Sequence, residues 1–326
     1  MTLLPSPDRV IAWPYLTSVA RKRAAYAIES YFRQALWDAK LVCGDRLYPV
    51  LQRLTFTVFK PESFAGRRVD TALQFLHRQN YRPITCFPLT LTRHMLNEMW
   101  RYQWNAATID KMEVGIRLNC GRPTQLVFWY DDSDSPELPA SVRLKQLKGA
   151  STPRLRAPDT LREALGAPNR MITFIHTPDE PADILRELGI FFDRAVRRSV
   201  IERVVAALDD DGTQPCTRVL TELETATPRT DFDPMAAWQR VIDRAYGTAA
   251  HDQLAAQFAQ FRATGSVDWE TFLPLALAAS AEEWDILSIG TAGIDYDLEG
   301  EEQVINFGAA DIEAWRSGEA ELLERV

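Results

Sequence analysis

The sequence predicts an α+β fold: a four-stranded antiparallel sheet covered by helices, followed by an all-helical C-terminal part. Leu54–Phe59 alternates with a two-residue period, which is typical of a strand. Further apolar strands are expected near Ile84, Val127 and Ile172, and helical patterns separate them. Beyond residue 192 the apolar positions recur at helical spacing, which indicates amphipathic helices.

The flanking segments extend this prediction to the whole chain. Residues 16–42 carry apolar side chains at helical spacing, so a helical segment is expected before the first strand. After residue 192, helices are expected over 201–208, 236–246, 252–261, 269–287 and 309–325. The predicted division is an N-terminal helical extension (1–51), a central domain (52–193) and an acidic helical C-terminal domain (194–326).

Composition restricts the class of protein. With 326 residues, 46% hydrophobic and 25% charged, the chain can bury one large or two moderate cores and is not a disordered segment. The four cysteines show no C-x-x-C spacing and no pattern of histidine partners, so neither a zinc site nor a disulfide framework is expected. No run reaches eighteen apolar residues and no basic-then-apolar leader pattern is present. We therefore expect a cytoplasmic protein without a membrane partner.

Charge is divided unevenly along the chain, whose net charge is −8. Residues 193–326 hold 26 acidic and 11 basic residues, a net of −15, which leaves a net of +7 for residues 1–192. A positive half suits a polyanionic ligand, although solvated helix faces or docking of the two halves would give the same balance. No Lys/Arg run with interleaved aromatic residues occurs, so nucleic acid is not an expected partner.

His176 is the first candidate for a reactive residue. An apolar strand over Met171–Ile175 is predicted to end at this histidine, and a turn over 177–179 precedes the next helix. Such a junction can present an imidazole to a cleft, although a histidine closing an apolar strand is commonly a satisfied core or turn residue. Polar residues elsewhere in the sequence favour a phosphate-binding site around it: Lys60, Ser151, Arg162, Asp179 and Glu187.

Five motifs occur in one order along the middle of the chain. They are KPE at 60–62, GASTP at 149–153, PDTLR at 158–162, NRMITFIHTPD at 169–179, and Glu187, eleven positions after His176. In this order they resemble the K-P-D, G-x-T-x-P, P-G-T-I-R and G-R-N-x-I-H-G-S-D motifs and the following glutamate of nucleoside diphosphate kinases. The resemblance spans residues 54–192 and implies the ferredoxin-like sheet of that family.

The resemblance also implies a mechanism. A nucleoside triphosphate such as ATP, bound with Mg²⁺, would transfer its terminal phosphoryl to His176, and a nucleoside diphosphate or a specialised acceptor would then receive it. Glu187 would orient the imidazole, and Lys60, the third catalytic residue, would contact the phosphates during transfer. The remaining implied contacts are Arg162 and Ser151 to the phosphates and Asp179 to the metal through water. A homo-oligomer is a further implication, because the family commonly forms one.

Several positions depart from the family motifs. The asparagine three residues before the histidine is Thr173, and the following Gly-Ser is Thr177-Pro178. The arginine expected four residues before the GASTP motif is Lys145, with Arg143 as a nearby substitute. These changes leave a second hypothesis open: a catalytically inactive kinase-like module that binds nucleotides or another protein.

The part of the chain that would hold the nucleobase aligns poorly with the family. Between residues 100 and 120, an aromatic stacking residue is expected, and Trp100 is the first candidate. Tyr102 or Met112 is an alternative there. The acceptor therefore cannot be named from the sequence.

Overall fold

A computed structural model describes residues 11–134 and 136–323. Four strands form one sheet: β1 (Leu54–Phe59), β2 (Tyr81–Thr90), β3 (Pro123–Asp131) and β4 (Ile175–His176). Their order across the sheet is β2-β3-β1-β4, and every neighbouring pair is antiparallel. The predicted α+β class and the four-stranded antiparallel sheet are therefore confirmed.

Helices surround this sheet on both faces. Three precede it: α1 (Ala20–Ile28), α2 (Ser30–Cys43) and α3 (Leu47–Arg53). Those between its strands are α4 (Pro61–Ala65), α5 (Val69–Arg78), α6 (Arg93–Met99), α7 (Arg101–Trp104), α8 (Ile109–Asn119), α9 (Ala140–Lys148) and α10 (Leu161–Ala164). Those after it are α11 (Pro181–Phe191), α12 (Arg194–Ala206), α13 (Thr213–Ala226), α14 (Pro234–Ala245), α15 (His251–Thr264), α16 (Trp269–Ala278), α17 (Glu283–Gly293) and α18 (Ala309–Arg316). Within residues 11–134 and 136–323, no helix is long and apolar enough to cross a bilayer.

Several predicted boundaries differ from the observed ones. The segment 16–42 is two helices, because Glu29 takes an extended backbone conformation between α1 and α2. The helix expected over 269–287 is likewise divided into α16 and α17. Helix α13 begins two residues after the last of the three consecutive aspartates at 209–211, and no helix was expected there. The final helix ends at Arg316, and residues 1–10 and 324–326 lie outside the described part of the chain.

The two faces of the sheet support different groups of helices. On one face, Phe56 of β1 makes edge-to-face contacts with Phe128 of β3 and Phe191 of α11. On the other face, buried Trp129 of β3 belongs to an apolar cluster that continues through Trp238 into helices α13–α17. The N-terminal helices and α18 belong to a second apolar cluster, which contains Phe56 and covers the first face. The helical segments at both chain ends are therefore packed against the same sheet.

A close helix crossing fixes the position of α11, which follows β4. A side chain at Gly189 of α11 would overlap the backbone of Tyr31 in α2. Overpacking of this kind is destabilising, so glycine is required at the crossing. Because Glu187 lies half a turn earlier on α11, the crossing also places this glutamate relative to β4.

Candidate functional site

A cavity of about 930 Å³ lies at the end of β4 and contains most of the predicted site. Its walls come from the end of β1, helices α7, α8 and α11, the loop after α9, and the segment 303–312. Nine of the ten predicted residues line it: Lys60, Trp100, Lys145, Ser151, Arg162, Thr173, His176, Asp179 and Glu187. Arg143 does not, because its guanidinium pairs with Asp131 and donates to the carbonyl of Gln79.

The imidazole of His176 is held by one carboxylate. Its Nε2 lies 2.7 Å from Oε2 of Glu187, and the histidine side chain is 18% exposed. Among the described residues, Nδ1 has no hydrogen-bond partner. A carboxylate that accepts from Nε2–H fixes the ring and leaves the lone pair on Nδ1. This arrangement suits a nitrogen nucleophile that is exposed to the cavity.

A strained turn precedes the histidine, where a regular strand was predicted. Phe174 is buried with φ +65°, and the N–H of Ile175 donates to the carbonyl of Thr173 at 2.7 Å. This conformation is unfavourable for a bulky residue and persists only where its surroundings hold it. The carbonyl of Phe174 accepts from the N–H of Lys60 at 3.0 Å and from the Ser63 hydroxyl. The predicted strand over 171–175 is therefore reduced to Ile175–His176, because the turn at Phe174 interrupts the antiparallel pairing with β1.

Lys60 directly follows β1, as its motif at the end of a strand predicted, and it is the N-cap residue of α4. Its side chain is 5% exposed, and Nζ donates to the carbonyl of Met171 at 3.2 Å. Nζ also pairs with the carboxylate of Glu62, which is fully buried. The pair therefore anchors an ammonium group in the cavity wall.

The loop after α9 brings Arg162 to the cavity. Gly149 has φ +79°, and a Cβ there would lie 2.7 Å from the side chain of Thr160, so the loop requires glycine. Nη1 of Arg162 donates to the carbonyl of Gly149 at 2.7 Å, while Nε has no partner among the described residues. Burial lowers the pKa of Arg162 to about 10. Ser151 lies in the same loop.

Two lysines of α9 surround Asp179. Its Oδ1 lies 2.9 Å from Nζ of Lys145 and 3.7 Å from Nζ of Lys148. Although burial opposes its ionisation, these ammonium groups hold the pKa of Asp179 below its usual range. Lys148 is itself buried and donates to the Thr177 hydroxyl at 2.6 Å. Burial, with the charge of Lys145, lowers the pKa of Lys148 well below its usual value.

The donor set around Asp179 limits what metal the chain can hold. Within the described ranges, no group of three or more histidine, cysteine or acidic side chains could bind a metal ion. Mg²⁺ commonly keeps several waters and uses one or two carboxylates together with substrate phosphates. The described side chains therefore offer no protein-enclosed metal site, and contact of Asp179 through water with a magnesium ion that arrives with phosphates stays a prediction.

The aromatic candidates take separate positions. The ring of Trp100 lies edge-to-face against His176, with 6.4 Å between centroids. Tyr102 lies under the guanidinium of Arg186, and neither it nor Met112 is among the residues that line the cavity. The structure thus places Trp100 beside the imidazole of His176, and its role in binding a nucleobase stays a prediction.

Several cavity residues were missed by the sequence analysis. Five of the six lysines of the chain line the cavity, although lysine is rare beside 31 arginines. The missed basic residues are Lys22, Lys111, Lys148, Arg170 and Arg186. Among the residues that the structure describes, the wall holds eight basic side chains and three acidic ones, Asp179, Asp183 and Glu187. The scarcity of lysine in an arginine-rich chain was the one feature of the sequence that could have marked these positions.

Comparisons with known proteins give the following results. No protein-family model and no curated protein matches the sequence. Among solved structures, 76 chains match. A nucleoside diphosphate kinase from Halobacterium salinarum in complex with CDP is 19% identical, and the match covers 43% of this chain and 87% of that chain, with TM-score 0.34.

Two further matches have similar values. A nucleoside-diphosphate kinase from Borrelia burgdorferi with bound vanadate and ADP is 16% identical, with 44% and 88% covered and TM-score 0.34. An NDP kinase from Pyrobaculum aerophilum is 12% identical, with 44% and 97% covered and TM-score 0.34. Because these TM-scores are low, only the motifs and the residues of the cavity bear on the function of this chain.

Proposed function

We propose that this chain is a phosphotransferase that uses His176 as a covalent carrier. Nδ1 would accept the terminal phosphoryl of a nucleoside triphosphate and pass it to a nucleoside diphosphate or a specialised acceptor. One observation carries the proposal: Glu187 holds Nε2 at 2.7 Å, while Nδ1 has no partner among the described residues in a cavity with eight basic side chains. The motif resemblance over residues 54–192 supports it.

The chemical step can be written with the residues present. The lone pair of Nδ1 forms a bond to the terminal phosphorus, the bridging P–O bond breaks, and the nucleoside diphosphate leaves with the electron pair. Glu187 stabilises the positive charge that develops on the imidazole. Lys60 and Arg162 neutralise charge on the phosphate oxygens, which is the main source of catalysis in phosphoryl transfer. An oxygen of the acceptor then attacks the phosphohistidine and restores the free ring.

The proposal extends to the fold of the central domain, to the C-terminal helices and to the oligomeric state. The order β2-β3-β1-β4, with helices between β1 and β2 and between β3 and β4, supports a ferredoxin-like central domain over 52–193. The helical part from residue 194 onward is proposed as a domain that completes the cavity, because residues 303–312 line it. A cytoplasmic homo-oligomer is proposed from the family resemblance.

A second candidate is the inactive nucleotide-binding module. Pro178 stands where the family motif has serine, and proline has neither a hydroxyl nor a backbone N–H to donate. The hydroxyl of Thr177 already accepts from Lys148. In this case nucleotides would bind but would not phosphorylate the protein.

A labelling experiment separates the two candidates. The full chain is incubated with Mg²⁺ and ATP labelled at the terminal phosphate, and the labelled peptide is then identified. We expect an acid-labile, base-stable label on the peptide that contains His176. Nucleotide binding without label would favour the inactive module, and an acid-stable label would place the phosphoryl on a hydroxyl instead.

Anion binding should be coupled to proton uptake at Lys148. Its pKa is lowered by burial and by Lys145, so a fraction of the protein carries the neutral amine at high pH. A bound polyphosphate favours the charged form and raises this pKa. We expect tripolyphosphate binding to take up as much as about one proton at a pH between the lowered pKa of Lys148 and the usual pKa of a lysine, measured by calorimetry in buffers of different ionisation enthalpy.

Lys148→Met provides the control for this measurement. It removes the titrating amine and should abolish most of the proton uptake. Uptake that is unchanged in Lys148→Met would show that another group titrates and would contradict the assignment.

A further inference from the structure

Two basic side chains of the cavity wall share one carboxylate. Nζ of Lys111, on α8, lies 2.8 Å from Oδ1 of Asp297. Arg170 contacts both oxygens of the same carboxylate, with Nη1 at 2.5 Å and Nη2 at 3.2 Å. A guanidinium fork with an ammonium group beside it is the donor arrangement that binds carboxylate and phosphate alike.

The segment that carries Asp297 is already held by its main chain. The N–H of Thr108 donates to the carbonyl of Tyr296, and the N–H of Leu298 donates to the carbonyl of Ala106. Ala107 and Asp297 form an isolated antiparallel bridge between these bonds. The carboxylate is therefore not needed to place the segment. Its side chain is 42% exposed, and an ion pair this exposed adds little net stability.

We propose that Lys111 and Arg170 form a second oxyanion subsite of the cavity, which Asp297 occupies until a phosphate group of a ligand replaces it. Both cations line the same cavity as His176, so one ligand can reach both places. The choice of phosphate as the oxyanion rests on the proposed function. The subsite selects ligands that carry a second phosphate besides the one at the histidine, and Asp297 weakens the binding of ligands without it.

Pyrophosphate binding to the full chain tests the subsite without turnover. Asp297→Asn keeps the size of the side chain and removes the competing charge. We expect calorimetry at constant ionic strength to give pyrophosphate binding about five to ten times tighter than in the wild type. Adding Arg170→Gln to this variant should remove the gain, because the guanidinium fork is then absent.

Asp295→Asn is the matched control. It changes the net charge equally, two residues away, and its carboxylate makes no ion pair with Lys111 or Arg170 in the described structure. We expect its pyrophosphate affinity to stay within about twofold of the wild type. Equal gains in pyrophosphate affinity in the two variants would show that net charge alone causes the effect. Weaker binding in Asp297→Asn would show that the Asp297 ion pairs only maintain the structure of the wall. Either result overturns the subsite.

Two outcomes separate this inference from the proposed function. A protein that takes no label at His176 but shows the gain in Asp297→Asn retains the subsite and loses the phosphotransfer proposal. A protein that is labelled at His176 but shows no gain in pyrophosphate affinity in Asp297→Asn retains the phosphotransfer proposal and loses the subsite. If Asp297→Asn melts early by circular dichroism, Arg170→Gln in the wild-type background should still weaken pyrophosphate binding, and an unchanged affinity would overturn the subsite.

Discussion

Replacing His176 with asparagine is expected to remove the phosphohistidine label and to reduce phosphoryl transfer by at least about 10³-fold, because the amide nitrogen has no lone pair for attack. The measurement is the initial rate of transfer from labelled ATP, together with the label retained on the protein. The same variant should still bind nucleotide, since Lys60 and Arg162 remain in the cavity wall.

Two other substitutions make this expectation specific. His94 is exposed and hydrogen-bonds to the Tyr31 hydroxyl, so His94→Asn should leave label and rate unchanged. Glu187→Gln keeps a hydrogen-bonding group beside Nε2 but loses the charge that stabilises the imidazolium, and we expect a loss of about 10²-fold. Full activity in His176→Asn, or label lost in His94→Asn, would place the reaction elsewhere.

The alternation of apolar residues predicted β1 well because this strand is regular and buried along its whole length. Leu54–Phe59 was predicted and found without a shift, since its apolar residues meet a helix layer on each face. The turn at Phe174 could not be predicted. Its positive φ is imposed by the bonds its carbonyl receives from Lys60 and Ser63, which are 111 or more residues away.

The candidate site was predictable only where a motif marked it. His176, Glu187 and Lys60 came from motif order, and the structure places all three at one cavity. Lys22 and Lys111 have no local signature, because their contribution depends on how the terminal segments pack. Arg143 was expected near the phosphates, but its position on α9 directs it to Asp131 instead.

One buried carboxylate joins three distant parts of the chain. Glu180, which precedes α11, is fully buried and accepts from the hydroxyls of Thr17 and Ser18 and from the indole N–H of Trp315. It also pairs with buried Lys22 at 2.8 Å. Despite burial, which opposes it, the charges of Asp183 and Glu180 hold the pKa of Lys22 above its usual range.

Glu180→Ala should therefore lower the free energy of unfolding by about 3–5 kcal/mol, because it leaves Lys22 with half of its compensating charge and removes the partner of Trp315. Urea unfolding followed by circular dichroism measures the change. Removing the exposed carboxylate of the Arg93 pair by Glu113→Ala should cost less than about 1 kcal/mol.

The double variant Lys22→Met/Glu180→Met decides whether charge is the cause. It removes Lys22 and Glu180 together, and Asp183, the other partner of Lys22, keeps the hydrogen bonds that it accepts from the Tyr26 hydroxyl and from the N–H of residue 180. The double variant should therefore recover part of the stability lost in Glu180→Ala. If the double variant is no more stable than Glu180→Ala, the loss comes from the hydrogen bonds of Thr17, Ser18 and Trp315, and the ion pair contributes little. A loss below about 1 kcal/mol in Glu180→Ala would contradict both explanations. Because Lys22 lines the cavity, the same variants show whether the packing of the chain ends holds this wall of the site in place.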